Sequence, residues 1–186
     1  LINKYLNAIE NVGVDVVELG FRSLNNKGFK GPLAFTTDNF IRTLNIPKNL
    51  KLGVMVNGSE FLGETSQKTV LEKLFKNSAL ESPIDLVRIA CHIHEFEKVL
   101  PVVNYLKDKN YKVGLNLMQI SDRKEKEIKK LVSTAKKYPI DLLYMADSMG
   151  SMDPNMTENL VKYFRNEWKG PLGIHAHDNL GLALTN

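Results

Sequence analysis

Cysteine is almost absent from the sequence: Cys91 is the single one among 186 residues. One cysteine excludes an internal disulfide, and this low usage is typical of proteins of the reducing cytosol, so we expect a cytoplasmic protein. No apolar run is long enough to cross a membrane, and the first residues do not form a signal peptide. We therefore expect no membrane partner. The chain begins with Leu rather than Met, which leads us to expect a segment of a longer protein.

Two further absences exclude classes of function. The 25 basic and 21 acidic residues give a net charge of +4, but they are interspersed, as on solvated helix faces. No aromatic-basic platform or known reading motif accompanies them, so we expect no nucleic-acid partner. No Gly-x-Gly-x-x-Gly follows the first predicted strand, which removes the usual sign of a dinucleotide-binding fold.

Apolar, β-branched runs alternate with segments of helical spacing. We predict helices over 2–12, 96–108, 123–138 and 156–168, an irregular loop over 22–36, and strands over 14–21, 51–57, 84–92, 112–119, 140–147 and 171–177. Such repeated units indicate a parallel sheet covered by helices. An open doubly wound sheet and a (β/α)₈ (TIM) barrel both fit this pattern. Six strands favour a single partial barrel domain over 1–186, without its first and last strands, because a complete barrel typically needs about 250 residues.

The polar residues of a parallel α/β protein that carry function collect at the carboxyl ends of the strands. All four histidines of this chain lie at two such ends. His175 and His177 are one residue apart, so on a strand they face the same way with Cα atoms roughly 6.5–7 Å apart. Two imidazoles in this arrangement can bind one divalent metal ion. The alternative is that they only satisfy local hydrogen bonds.

Other strand ends carry weaker signals. Glu18 and Arg88 fall at inward-facing positions, and because a buried charge needs a partner, we predict an ion pair between them. We expect His92 to face the pocket and His94 to start the next helix. Cys91 has the opposite phase from His92 and is predicted to be a packed core thiol. The segment 147–150 fits a turn with capping groups as well as a substrate-binding loop.

Several of these segments resemble one family. The stretch 173–186, with His175 and His177, closely resembles the His-x-His signature of the DRE-TIM metallolyases, or HMGL-like proteins. This group includes 3-hydroxy-3-methylglutaryl-CoA lyase, 2-isopropylmalate synthase and 4-hydroxy-2-oxovalerate aldolase. The segment 17–20 resembles the family's second strand with its glutamate, while 87–92 and 146–150 are similar to the fourth and sixth strands of the aldolase branch.

The resemblance implies a carbon–carbon lyase of the retro-aldol type that acts on 2-oxo acids or acyl thioesters through a metal-stabilised enolate. The metal implied is Mn²⁺ or Mg²⁺, with His175 and His177 as ligands. In the family the first strand ends in an Arg-Asp pair whose aspartate is a ligand. No Arg-Asp pair occurs here, so the third ligand is expected upstream of Leu1. The remaining predicted site residues are His92 and Glu18 in catalysis, and Arg88, Asn116, Ser148 and Arg22 in substrate binding.

Two alternatives stay open at this point. One is an acyl-CoA-condensing synthase of the isopropylmalate or citramalate type, and the other is a catalytically incomplete barrel. The segment 20–22 differs from the aldolase pattern, which leaves the substrate unassigned. We expect these 186 residues alone to bind metal weakly or not at all, because two neutral imidazoles lack the charge of an aspartate. For the full-length protein we expect a homodimer or an aldehyde-accepting partner enzyme.

Overall fold

The computed structural model describes residues 1–24, 27, 28 and 30–186. Six strands form one sheet: β1 (Val16–Phe21), β2 (Lys51–Asn57), β3 (Leu86–Cys91), β4 (Lys112–Leu117), β5 (Leu142–Ala146) and β6 (Leu172–His175). The α-helices are α1 (Ile2–Ile9), α2 (Asp38–Ile41), α3 (Gln67–Leu74), α4 (Phe96–Val99), α5 (Pro101–Asp108), α6 (Glu125–Ala135) and α7 (Pro154–Glu167).

The order of the strands distinguishes the two predicted architectures. The strands lie in the sheet in chain order, from β1 to β6, and all five neighbouring pairs are parallel. A doubly wound sheet reverses direction at a switch point, whereas a (β/α)₈ barrel adds each strand beside the previous one. The sheet is therefore an incomplete barrel, as predicted, and in the described part of the chain β1 and β6 are its two edges.

The outer face of the sheet forms the core with the helices. Fully buried outward side chains from β3 and β4 include Val87, Ile89, Val113 and Leu115. Cys91 belongs to this layer with no exposed surface, and burial raises the pKa of its thiol to about 12. This confirms the predicted core thiol and excludes a reactive thiolate.

The structure departs from the predicted elements in a few places. The predicted helix over 96–108 is divided into α4 and α5 at Pro101, which has no N–H to continue the helical hydrogen bonds. Helices α2 and α3 were not predicted. The predicted loop over 22–36 includes a 3₁₀ turn at Pro32–Ala34, while Asn25, Asn26 and Phe29 lie outside the described residues. None of the described helices is long and apolar enough to span a membrane.

The inner face of the sheet is organised in layers. In a barrel, side chains at one level come from alternate strands, because each strand is staggered by about one residue relative to the next. The strand register defines a lower layer from the even strands, consisting of Gly53, Gly114 and Gly173. Towards the carboxyl ends follow an ionic layer from the odd strands, consisting of Glu18, Arg88 and Tyr144, and a histidine layer from the even strands, consisting of Met55, Asn116 and His175.

Candidate active site

Arg88 lies at the centre of the ionic layer. Its Nε is 2.6 Å from Oε2 of Glu18, and its Nη2 is 2.7 Å from Oε1. The two side chains are 11% and 26% exposed, so the charges are largely removed from water. The predicted ion pair is confirmed, and its two parallel hydrogen bonds fix the plane of the guanidinium.

Tyr144 completes the ionic layer and was not among the predicted site residues. The guanidinium carbon of Arg88 lies 5.1 Å from the centroid of the Tyr144 ring. The ring fits because the flanking strands carry glycines: a Cβ on Gly173 would lie 2.7 Å from Cδ1 of Tyr144, and a Cβ on Gly114 would lie 3.0 Å from Cε2. Burial raises the pKa of the Tyr144 hydroxyl, which keeps it neutral.

The histidine pair continues from Arg88 towards the carboxyl ends of the strands. Nη1 of Arg88 is 3.1 Å from Nδ1 of His175, and Nε2 of His175 is 3.2 Å from Nε2 of His177. Arginine can only donate, so Nδ1 accepts and the proton of neutral His175 is on Nε2, from which it is donated to His177. Burial, together with the positive charge of Arg88, lowers the pKa of His175 and favours this neutral form.

The spacing of the two imidazoles suits a divalent ion. Two nitrogens that bind one ion at right angles, each at about 2.1 Å, are about 3.0 Å apart. The observed separation of 3.2 Å between the Nε2 atoms of His175 and His177 is close to this value. No third ligand joins them: within residues 1–24, 27, 28 and 30–186, no group of three or more His, Cys, Asp or Glu side chains is placed to hold a metal.

Asn116 shares the histidine layer with His175. Asn116 is 3% exposed, and its Oδ1 has no hydrogen-bond partner among the described residues.

Ser148, which was predicted with Asn116 as a substrate-binding residue, follows β5. Its hydroxyl accepts a hydrogen bond from the backbone N–H of Gln119 at 3.0 Å and thereby ties the ends of β4 and β5 together.

The segment 147–150 forms a turn with capping groups, one of its two predicted alternatives. The carboxylate of Asp147 accepts hydrogen bonds from the backbone N–H groups of Ser151 and Met152, at 3.0 and 3.1 Å. The Asp147 carboxylate is therefore engaged in hydrogen bonds to the backbone of its own turn. Ser148 is the residue of this segment whose side chain contacts the end of β4.

His92 and His94 lie outside the cluster around Arg88. Strand β3 ends at Cys91 and α4 begins at Phe96, so the prediction that His94 starts the helix is wrong; it lies in the intervening turn. The two imidazole rings are stacked, with centroids 5.5 Å apart. The backbone N–H of His92 donates to the buried Glu95 carboxylate at 2.9 Å. In the described structure, His92 has no hydrogen bond to Glu18, Arg88 or the histidine pair.

Arg22 belongs to a different part of the molecule. Its Nε donates to the carbonyl of Thr36 at 3.0 Å, its Nη1 donates to the carbonyl of Leu74 at 2.9 Å, and it forms an ion pair with Asp38. The side chain is 6% exposed and lies against the Phe75 ring. The structure therefore does not bring Arg22 to the other predicted site residues, and its guanidinium is engaged with the protein.

Known proteins resemble this arrangement in sequence and in fold. The crystal structure of the N-terminal domain of a proposed aldolase from Bacteroides vulgatus matches the whole chain and 60% of that protein, with a TM-score of 0.85 and 27% identity. The HMG-CoA lyase of Bacillus subtilis has the same fold, with a TM-score of 0.72 over 99% of this chain and 63% of the lyase, at 15% identity.

The sequence relatives are enzymes. A 4-hydroxy-2-oxovalerate aldolase of Pelotomaculum thermopropionicum is 28% identical over 96% of this chain and 51% of its own length. A homocitrate synthase of Pyrococcus abyssi is 24% identical over 96% of this chain and 47% of its own length. The chain thus spans about half the length of the curated relatives it matches. The family model described as HMGL-like matches residues 87–186, which carry Arg88, Asn116 and the histidine pair, and the chain therefore belongs to the HMGL-like family of enzymes.

Proposed function

We propose that the protein is a divalent-metal-dependent lyase that cleaves a 4-hydroxy-2-oxo acid by a retro-aldol reaction. The observation that carries this proposal is the convergence of the Nε2 atoms of His175 and His177, 3.2 Å apart, next to the ion-paired Arg88. The substrate class follows the aldolase relative, whose named substrate is a 4-hydroxy-2-oxo acid.

In this proposal His175 and His177 hold Mn²⁺ or Mg²⁺ together with an aspartate from outside these 186 residues. When bound, the ion acts as a Lewis acid that offsets negative charge on the substrate oxygens. His175 would bind the ion through Nε2 only in the tautomer that carries its proton on Nδ1, and that tautomer cannot accept from Arg88. In that form an N–H of Arg88 would be free to bind the substrate carboxylate.

The other predicted residues keep defined roles in the proposal. Glu18 accepts both hydrogen bonds of the ion pair, so its role is to hold Arg88 in orientation while the contact with His175 changes. Ser148 positions the end of β4 through the N–H of Gln119. His92 is our proposed proton-transferring residue, because it directly follows the carboxyl end of β3, the strand that carries Arg88.

The test uses the full-length protein, stripped of metal by chelation and reloaded with Mn²⁺ or Mg²⁺. We expect pyruvate to be released from 4-hydroxy-2-oxovalerate only after reloading, and His175→Ala and His177→Ala each to lower kcat/KM by about 100-fold or more. Metal content is measured in parallel by atomic absorption. The exposed His94 supplies a matched histidine control, and His94→Ala should retain bound metal and activity.

A parallel assay separates the two reaction types. Thiol release from acetyl-CoA in the presence of a 2-oxo acid, without cleavage of 4-hydroxy-2-oxovalerate, would replace the lyase by the synthase alternative, which the homocitrate synthase relative represents. Pyruvate release that is unaffected by chelation would contradict the metal site itself.

A further inference from the structure

Asn116 is a buried residue of the inner face that carries an unsatisfied polar atom. The residue is 3% exposed, and its Oδ1 is closed to water and has no hydrogen-bond partner among the described residues. Leaving a buried amide oxygen unpaired costs about 1–3 kcal/mol, and a ligand that donates a hydrogen bond to it would remove this cost. By contrast, Glu18, Arg88 and His175 of the ionic and histidine layers are paired with one another.

The register of the sheet places this amide beside the proposed reaction site. Asn116 of β4 is the Cα partner of Tyr144 in β5, and Tyr144 is the partner of Gly173 in β6. With the stagger of one residue per strand, Asn116 and His175 share the histidine layer. The next inward positions of the odd strands towards the carboxyl ends are the small residues Ala90 and Ala146.

We propose that the Asn116 amide oxygen accepts a hydrogen bond from the hydroxyl group of the substrate, and so selects hydroxylated 2-oxo acids over 2-oxo acids without a hydroxyl. This inference rests on the proposed function. An amide does not take up a proton near neutral pH. Asn116 therefore binds and orients the substrate hydroxyl, while another group removes the proton of that hydroxyl.

The class of substrate follows from the chemistry of the acceptor. A site with an amide oxygen held away from water discriminates against a ligand that cannot donate to it, because the oxygen then stays buried and unpaired. The hydroxyl concerned is the one that becomes the aldehyde oxygen when the carbon–carbon bond breaks. A ligand without it still offers its carboxylate and its carbonyl, but leaves Asn116 unsatisfied.

The experiment compares 4-hydroxy-2-oxovalerate with 2-oxovalerate on the full-length protein and on Asn116→Leu, which has nearly the same volume without the amide. Where the protein cleaves the hydroxylated acid, its KM and the inhibition constant of 2-oxovalerate compare the two affinities; where it does not, isothermal calorimetry gives the two dissociation constants. NMR in D₂O follows deuterium exchange at C3 of 2-oxovalerate. We expect the wild-type protein to bind the hydroxylated acid about tenfold more tightly, and Asn116→Leu to bind the two acids equally.

Three further readouts distinguish a binding role from a structural one. Cleavage of 4-hydroxy-2-oxovalerate should fall further in Asn116→Leu than exchange at C3 of 2-oxovalerate does, because the second ligand makes no bond to the amide. The melting temperature should not fall, since leucine removes an unpaired polar group. Asn104 lies exposed on α5, so Asn104→Leu should leave binding and exchange unchanged. Asn116→Ala is the second variant if leucine does not fit.

The outcomes separate the two proposals. An unchanged preference in both Asn116 variants would overturn the role of Asn116. A wild-type protein that binds the two acids with the expected preference but cleaves neither would overturn the proposed reaction and retain the role of Asn116.

Discussion

At the scale of single residues, Asp38 connects segments that are distant in sequence. It forms the ion pair with Arg22 and accepts hydrogen bonds from Nδ2 of Asn77 and Oγ of Ser82, both at 2.9 Å. Burial opposes its ionisation, but Arg22 and these hydrogen bonds together hold the pKa of its carboxyl below the ordinary value. The cluster joins the end of β1, the start of α2 and the segment that leads into β3.

Replacing Asp38 by Asn tests this connection. The change leaves the buried guanidinium of Arg22 without its counterion, and breaking a buried pair in this way typically costs about 3–5 kcal/mol. We expect the free energy of unfolding at pH 7 to fall by about 3 kcal/mol in chemical denaturation. A decrease below about 0.5 kcal/mol would show that the pair contributes little.

The lowered pKa of Asp38 predicts that the free energy of unfolding depends on pH. The pKa of Asp38 is lower in the folded than in the unfolded protein, so its contribution is present above about pH 4 and is lost as the pH falls through the folded pKa. The unfolding free energy of the wild-type protein should therefore decrease more steeply below pH 4 than that of Asp38→Asn. Parallel curves for the two proteins would contradict this linkage.

Some of these residue contacts follow from the sequence and others do not. The pairing of Glu18 with Arg88 is predictable, because strand alternation places both charges inside the sheet and a buried charge needs a partner. The position of Arg22 is not predictable in this way. It follows the last residue of β1, where alternation no longer applies, and its partner Asp38 belongs to a four-residue helix that has no periodic signal.

At the scale of elements, the lower glycine layer determines what the inner face can hold. Large side chains at Gly114 and Gly173 would occupy the space of the Tyr144 ring, and without that ring Arg88 would lose its stacking partner. The three glycines are not equivalent. A Cβ on Gly53 would meet its nearest neighbour, the carbonyl oxygen of Leu86, at an ordinary 3.5 Å.

This difference predicts opposite outcomes for two identical substitutions in one layer. Gly173→Ala places a Cβ 2.7 Å from the Tyr144 ring and should cost about 1–3 kcal/mol of unfolding free energy, as is typical of overpacking. Gly53→Ala should be neutral or slightly stabilising, because alanine reduces the freedom of the unfolded chain. Thermal unfolding of the two variants, side by side, measures the contrast. Equal melting temperatures would exclude Tyr144 as the reason for glycine at position 173.

The elements themselves were predictable where their pattern was long and apolar. All six strands were predicted, because their sequences read as nearly continuous apolar runs, and in β2 to β5 the outward residues are buried under helices. Helix α3 was missed, since Val70 and Leu71 are its fully buried residues and give little periodicity. Its start is fixed by Ser66, whose hydroxyl accepts the N–H of Thr69 at 3.2 Å, a local cap that composition alone does not reveal.

At the scale of the whole molecule, the strands that carry the proposed site differ in how well neighbouring elements shield them from solvent. Strands β3 and β4 lie between neighbours on both sides, and Val113, Leu115 and Leu117 of β4 have no exposed surface. Strand β6 is four residues long, lies at an edge of the described sheet and is only partly buried. His175 is thus carried by the least protected strand of the site, while Arg88 and Asn116 lie on the most protected ones.

Hydrogen exchange measured by mass spectrometry should reveal this gradient, because local opening requires less free energy where fewer contacts are broken. Peptides that cover 172–175 should exchange at least tenfold faster than peptides that cover 112–117. In the full-length protein, Mn²⁺ should slow exchange in 172–175, because an ion that binds only the closed form of the histidine pair stabilises that form by mass action. Strand β4 provides the internal control and should not respond. His177→Ala should abolish the slowing, and an equal response to Mn²⁺ in that variant would exclude the histidine pair as the place where the ion binds.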